Sequence, residues 1–131
     1  MTGIEYVNPP ELGRPSGFSH AVRAGDTVYL AGETALDAEG RIVGDTLVEQ
    51  FEKALDNMLT ALRAAGGGPE KLVSLTIYIV DLQEYKAAMR DIGRVWKKMI
   101  GDHYPATAGI GVARLWDIEA RVEVHGVAYL G

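Results

Sequence analysis

The residues whose types and spacing suit them to chemistry lie toward the end of the chain. In Arg121-Val122-Glu123-Val124-His125-Gly126-Val127-Ala128, strand alternation puts Arg121, Glu123 and His125 on one face and Val122, Val124, Gly126 and Ala128 on the other. Side chains two apart on a strand lie roughly 7 Å from each other, so Glu123 and His125 can flank one small ligand or orient one water. A carboxylate beside an imidazole fixes its tautomer or holds it protonated, which suits acid–base work near neutral pH. An ion pair at an interface is the alternative, and the commoner outcome for such a pair. In Thr107-Ala108-Gly109-Ile110-Gly111-Val112, the same period leaves Thr107, Gly109 and Gly111 on a nearly bare face opposite Ile110 and Val112. Strand glycines mark the close approach of a ligand or of another packed element, and both readings stand. Arg114 and Trp116 read as surface charge and packing.

Other chemistries lack their residues. His20, His103 and His125 are singletons with no metal-ligand spacing, so no metal site is expected. There is no phosphate-binding Gly-x-x-x-x-Gly-Lys-Ser/Thr and no Gly-x-Ser-x-Gly nucleophile turn, and Gly66-Gly67-Gly68 follows a helix pattern, where it reads as a stop. With no cysteine, thiolate catalysis, iron–sulfur ligation and disulfides are excluded. Thirteen Lys and Arg against 18 Asp and Glu give a net charge of -5 with the signs interspersed, which disfavours nucleic acid as a partner. The longest nearly apolar run, Leu72 to Val80, is far short of the roughly 20 residues needed to cross a bilayer. The opening residues show neither a basic start nor an apolar signal core, so a cytoplasmic location is expected.

The elements that must position these residues follow from periodicity. A chain of 131 residues with 47% apolar content suffices for one core and one domain spanning 1–131. Ile4 to Val7 reads as at most a short edge strand before the turn-rich segment ending at Gly17. Phe18 to Arg23 and Thr27 to Gly32 form a hairpin across Ala24-Gly25-Asp26. Thr46-Leu47-Val48-Glu49 is a capping box opening a helix to Ala65, whose stripe is Val48, Phe51, Leu55, Met58, Leu59 and Leu62. A single helical turn at Pro69 to Lys71 precedes a central strand from Leu72 to Val80, in which Leu75, Ile77 and Ile79 alternate against Ser74, Thr76 and Tyr78. Asp81-Leu82-Gln83-Glu84 opens a second helix to Ile100, with Tyr85, Met89, Ile92, Trp96 and Met99 as its apolar face. Thr107 to Arg114 and Arg121 to Leu130 are the last strands, separated by a turn at Trp116 to Glu119. The order is ββαβαββ, an α+β sandwich with two helices on one face of a mixed six-stranded sheet. Tyr29, Tyr78, Val127 and Tyr129 make the other face partly apolar, so self-association is expected.

Set in this order, the sequence resembles the Rid proteins (reactive intermediate deaminases), also called the YjgF or L-PSP endoribonuclease family. The resemblance rests on Phe18-Ser19-His20-Ala21-Val22 and Ala31-Gly32-Glu33, on Leu55-Asp56-Asn57 with Leu62 and Ala64-Ala65-Gly66, and on Val73 with Thr76-Ile77-Tyr78-Ile79 and Asp81. It continues through Tyr104-Pro105-Ala106, Val112 with Leu115, Val122-Glu123-Val124 and Val127-Ala128. It implies a chorismate-mutase-like fold assembled as a homotrimeric barrel, helices outward, with small-molecule clefts between subunits and hydrolysis of enamines or imines without metal or organic cofactor. In the deaminating members, the resemblance further implies, an arginine two residues after the cleft proline clamps the substrate carboxylate, a job suited to guanidinium geometry.

The chain departs from that pattern at the site itself. Thr107 stands at the arginine position, Phe18 at a tyrosine, Ala31 at a serine, Gly109 at a cysteine, and His125 at the glutamate credited with positioning water. Losing a charge-assisted contact costs about 1.5–3 kcal/mol per bond, so efficient 2-aminoacrylate deamination is not expected. The implied cleft has Phe18, Ala31, Gly32, Glu33 and Gly109 as binding walls, with His125, Glu123 and Thr107 as catalytic candidates. The expected activity is hydrolysis or tautomerisation of an imine, enamine or related carbonyl compound. A silent metabolite-binding trimer is the alternative, and nuclease activity the least favoured.

Overall fold

The computed structural model describes residues 3–131. Six strands form one sheet in the order β1-β2-β3-β6-β4-β5: β1 Ile4–Val7, β2 Ala21–Ala24, β3 Thr27–Leu30, β4 Leu72–Ile79, β5 Ala106–Gly111 and β6 Val122–Tyr129. Only β4 and β5 run parallel, and the chain between them carries α2 Leu82–Ala87 and α3 Met89–Met99. α1, Leu47–Ala64, links β3 to β4, and β6 then inserts between those two strands. The expected ββαβαββ order is present, preceded by the edge strand at Ile4–Val7.

Local chemistry explains the element ends. The Thr46 hydroxyl accepts from Glu49 N–H while the Glu49 carboxylate accepts from Thr46 N–H, closing the capping box at the start of α1. Asp81 caps α2 through Glu84 N–H, but Glu84 turns its own carboxylate to Arg121 instead of completing a box. The helix expected from Asp81 to Ile100 is two helices that meet at Ala88, which leaves the helical region of backbone space at ψ 7°. Beyond that break Ile92 and Val95 are buried, with Trp96 and Met99 packed beside them, whereas Met89 faces outward. The hairpin strand expected from Phe18 begins only at Ala21, and the strand expected to reach Arg114 ends at Gly111.

One core lies between the helices and one face of the sheet. Phe51, Leu55, Met58, Leu59 and Leu62 of α1 are fully buried against Val28, Leu30, Leu75, Val122 and Val124. Cross-strand partners share a face, so the registers assign every strand residue to a side. The opposite side carries Tyr6, Val22, Tyr29 and Val127 in one row and Thr27 with Tyr129 in the next, and Tyr6, Tyr29 and Tyr129 are all more than half exposed. No helix among the described residues covers it. Among the described residues no helix is long and apolar enough to cross a membrane.

Candidate functional site

The site is built where β3 stops following β6. Tyr29 pairs with Val127, yet the next pairing, Glu33 with Val124, has slipped by one, so Leu30, Ala31 and Gly32 face only His125 and Gly126. That extra residue is a β-bulge, a device that re-aims side chains and interrupts the ladder. The backbone of Glu33 re-engages at once, donating to Val124 O at 2.8 Å and accepting from Val124 N–H at 2.9 Å. Ala31 N–H is taken by His20 O, while Gly32 N–H has no partner among the described residues.

Glu123 lies over this bulge. A Cβ on Gly32 would sit 2.9 Å from the Glu123 carboxyl carbon, so the space a side chain would fill is occupied by that carboxylate. The backbone of Gly32 needs no positive φ; what glycine supplies here is room for the Glu123 carboxylate, which a side chain would displace. Glu123 is half-buried and has no hydrogen-bond or ion-pair partner among the described residues. Burial pushes its carboxyl above the ordinary value, and His125 on the same strand pulls the other way. His125 itself is exposed.

Behind the bulge, His20 and Glu33 are 4% and 6% exposed and joined by a 2.8 Å hydrogen bond from Nδ1 to Oε2. Burial raises the Glu33 carboxyl, the His20 bond and charge oppose it, and the charge of Glu123 adds to the rise. Phe18 stands edge-on to His20, ring centroids 5.1 Å apart, and Asn8 accepts from His20 N–H. Asn57 of α1, also buried, donates to Thr34 O and Leu36 O at 2.9 Å and so ties the segment after the bulge to the core.

The structure therefore gathers Ala31, Gly32, Glu33 and Glu123 at the bulge, with His125 beside Glu123 on β6, whereas Phe18 touches this group only through His20. Thr107 and Gly109 lie elsewhere: they pair with Leu75 and Ile77, so they belong to the helix side of the sheet, whereas His125 pairs with Thr76 and Glu123 with Tyr78 on the open side. Within one chain these residues are not walls of one cleft. Thr107 also spends its hydroxyl on Pro105 O at 2.8 Å. A Cβ on Gly109 would make ordinary van der Waals contact with Ile79 Cδ1 at 3.8 Å, while a Cβ on Gly111 would press on Leu82. Trp116, read as packing, is 92% exposed. His103 donates from Nε2 to Leu72 O at 2.7 Å, and no group of three or more potential metal ligands occurs among the described residues.

Sequence reasoning found the Glu123–His125 face but not the roles of His20 and Asn57, which are set by contacts 13 and more than 20 residues away. The nearest signal to the bulge was Gly32 at the end of the strand expected from Thr27, a strand that in the structure stops at Leu30.

Comparison with known proteins matches residues 11–130 to the family model described as Endoribonuclease L-PSP. A protein named RutC family protein UK114 from Drosophila melanogaster is 32% identical over 115 residues, 87% of this chain and 80% of that one. A 2-iminobutanoate/2-iminopropanoate deaminase from Capra hircus is 31% identical over the same shares. The solved structure of a probable translation initiation inhibitor from Rhodopseudomonas palustris superposes with a TM-score of 0.86 at 30% identity, covering 98% of each chain.

Proposed function

Because the chain belongs to the endoribonuclease L-PSP family, whose members are also called Rid proteins, we propose that it is a cofactor-independent small-molecule protein of the imine-deaminase type whose site is completed between copies of itself. The observation that carries this reading is the Glu123 carboxylate held beside the Gly32 N–H, neither of them with a hydrogen-bond partner among the described residues. A carboxylate that can take and return a proton, next to a backbone donor that can polarise an oxygen or nitrogen, is the minimum set for hydrating a C=N bond or shifting a proton along an enamine.

Two further observations support the assembly. The open face carries exposed Tyr6, Tyr29 and Tyr129 beside half-buried Val22 and Val127, more apolar than a face turned permanently to water usually is. Thr107 and Gly109, on the other side at the β5 edge of the sheet, meet the Glu123 face only if a neighbouring chain brings its own copy of that edge. A homotrimer with clefts between subunits satisfies both. A cytoplasmic location belongs to the same reading, and the cysteine-free composition fits the reducing compartment it implies.

The neutral Thr107, with its hydroxyl already engaged, supplies no clamp for a carboxylate, so 2-aminoacrylate is a poor substrate in this reading. Light scattering tests the assembly, and a monomer at working concentration ends the shared-cleft model. Ammonia release from enzymatically generated 2-aminoacrylate at the rate of an arginine-containing deaminase ends the substrate argument. Glu123→Gln and His125→Ala are expected to abolish turnover of any imine the protein accepts while the assembly persists. Turnover absent from the wild type across imines, enamines and carbonyl compounds identifies a binding protein instead.

A further inference from the structure

We infer that the Glu123 site selects cationic iminium-type ligands that carry no carboxylate, with Glu123 as their counter-ion. This rests on the reading above, that the Glu123 face is a ligand cleft, and goes further by assigning its charge preference.

Charge placement across the sheet carries the argument. The six strands contain a single Lys or Arg, Arg23, and it lies on the helix side, where its guanidinium bonds to Gly25 O and Ala65 O. The acidic strand residues are Glu5, paired with Arg23 on that same side, and Glu123. Glu123 is therefore the one formally charged strand residue on the open face. The two arginines that flank its neighbourhood in sequence are turned elsewhere: Arg121 pairs with Glu84 at the start of α2, and Arg114 bonds to Leu115 O and Trp116 O in its own loop. Glu33 lies behind Glu123, already held by His20.

A half-buried carboxylate without a partner is costly to keep, and a cation is what offsets that cost. An anionic ligand in the same place would face Glu123 with no Lys or Arg of the strands to balance it, the exposed imidazole of His125 being the one basic strand side chain on that face. A planar iminium group fits the arrangement, with its charge on Glu123 and one flank against Tyr78, the cross-strand neighbour of Glu123. If the bound iminium is hydrolysed, one water adds its oxygen to the iminium carbon and the carbon–nitrogen bond breaks. Both water protons leave with the nitrogen, which already carries two, so one iminium cation and one water become one neutral carbonyl compound and one ammonium ion. Glu123 takes a proton from water and returns it to nitrogen, so no oxidant, reductant or cofactor enters the balance.

The test uses three stable probes that share one ring and differ in charge: benzamidinium, benzamide and benzoate. Each is titrated into the assembled full-length protein at neutral pH while the amide signals of Gly32, Glu123 and His125 are followed by NMR. Benzamidinium is expected to bind at least about tenfold more tightly than benzoate, with benzamide between, and Glu123→Gln to shrink that ratio to about twofold or less. Benzoate binding as tightly as benzamidinium overturns the inference and leaves the cleft standing. So does a ratio that survives Glu123→Gln, because a cation supplied by a neighbouring subunit, or charge elsewhere, would then set the preference. If none of the probes moves these signals, the cleft reading falls together with the inference.

Discussion

The two faces of the sheet obey different rules although they share strands. On the helix side, β4 and β6 offer Leu72, Leu75, Ile77, Ile79, Val122 and Val124, all buried, and α1 fills the space between them. On the open side, one residue away along the same strands, stand Thr76, Tyr78, Glu123 and His125, none of them fully buried. The period of two thus separates a surface that stabilises the chain from one that is left for something else to cover. Its most consequential irregularity, the extra residue at Ala31 and Gly32, lies where the two requirements meet: the helix side continues through Leu30 to Ala35, while the open side gains room for a carboxylate.

The contrast breaks most visibly in the core. Phe51→Ala removes a fully buried ring that packs edge-on to Tyr85 at 6.4 Å, and is expected to cost about 3–5 kcal/mol in denaturant unfolding. Tyr29→Ala removes an aromatic ring of similar size from the open face and is expected to weaken self-association instead, seen as a dissociation midpoint moved to higher protein concentration. Equal losses of intrachain stability at the two positions would erase the distinction between the faces.

Asn57→Ala comes next, because it leaves Thr34 O and Leu36 O without their donor at a buried position, about 1–3 kcal/mol by thermal or denaturant melting. Its second readout is the segment after the bulge, whose amide signals should broaden or shift while those of α3 stay in place. A cost confined to stability, with residues 31–36 unmoved, would make Asn57 a core residue only. Gly32→Ala acts more locally: the new methyl occupies the place of the Glu123 carboxylate, which must swing toward solvent. The fold should persist, and the Glu123 carboxyl, followed by carbon NMR, should titrate lower, toward the ordinary glutamate value, as burial is relieved.

Much of this was legible in the sequence. Periodicity located the sheet and α1, and the alternation of Val122 and Val124 against Glu123 and His125 is the one observed. The break at Ala88 was not legible, because alanine is a strong helix former and nothing in its own chemistry stops a helix there. Nor was the side of the sheet to which Thr107 and Gly109 belong. Alternation within one strand shows which residues share a face, but only the pairing of β5 with β4 shows which face that is. His20 and Glu33 could be paired only through the fold, since 13 residues and a hairpin separate them.

The smallest effect asks whether the buried His20–Glu33 pair behaves as an ion pair or as a desolvated acid. Burial outweighs His20 and holds the Glu33 carboxyl above its ordinary value of 4.5, so the folded chain binds this proton more tightly than the unfolded one. The stabilising contribution is then complete below that value and is lost as pH rises through the elevated folded value. Asp37 and Glu49 run the other way: backbone donors from Arg41 and Glu39, and from Asp45 and Thr46, lower them, so what they contribute is lost as pH falls. Glu33→Gln keeps an acceptor for His20 and removes the titration, so relative to the wild type it should gain stability between about pH 4 and about pH 7, whereas Glu49→Gln should lose it. Denaturant melts of both variants across that range give the signs. A Glu33→Gln variant that loses ground toward neutral pH would show that the attraction of His20 exceeds the cost of burial, and that the pair behind the bulge is held together by charge.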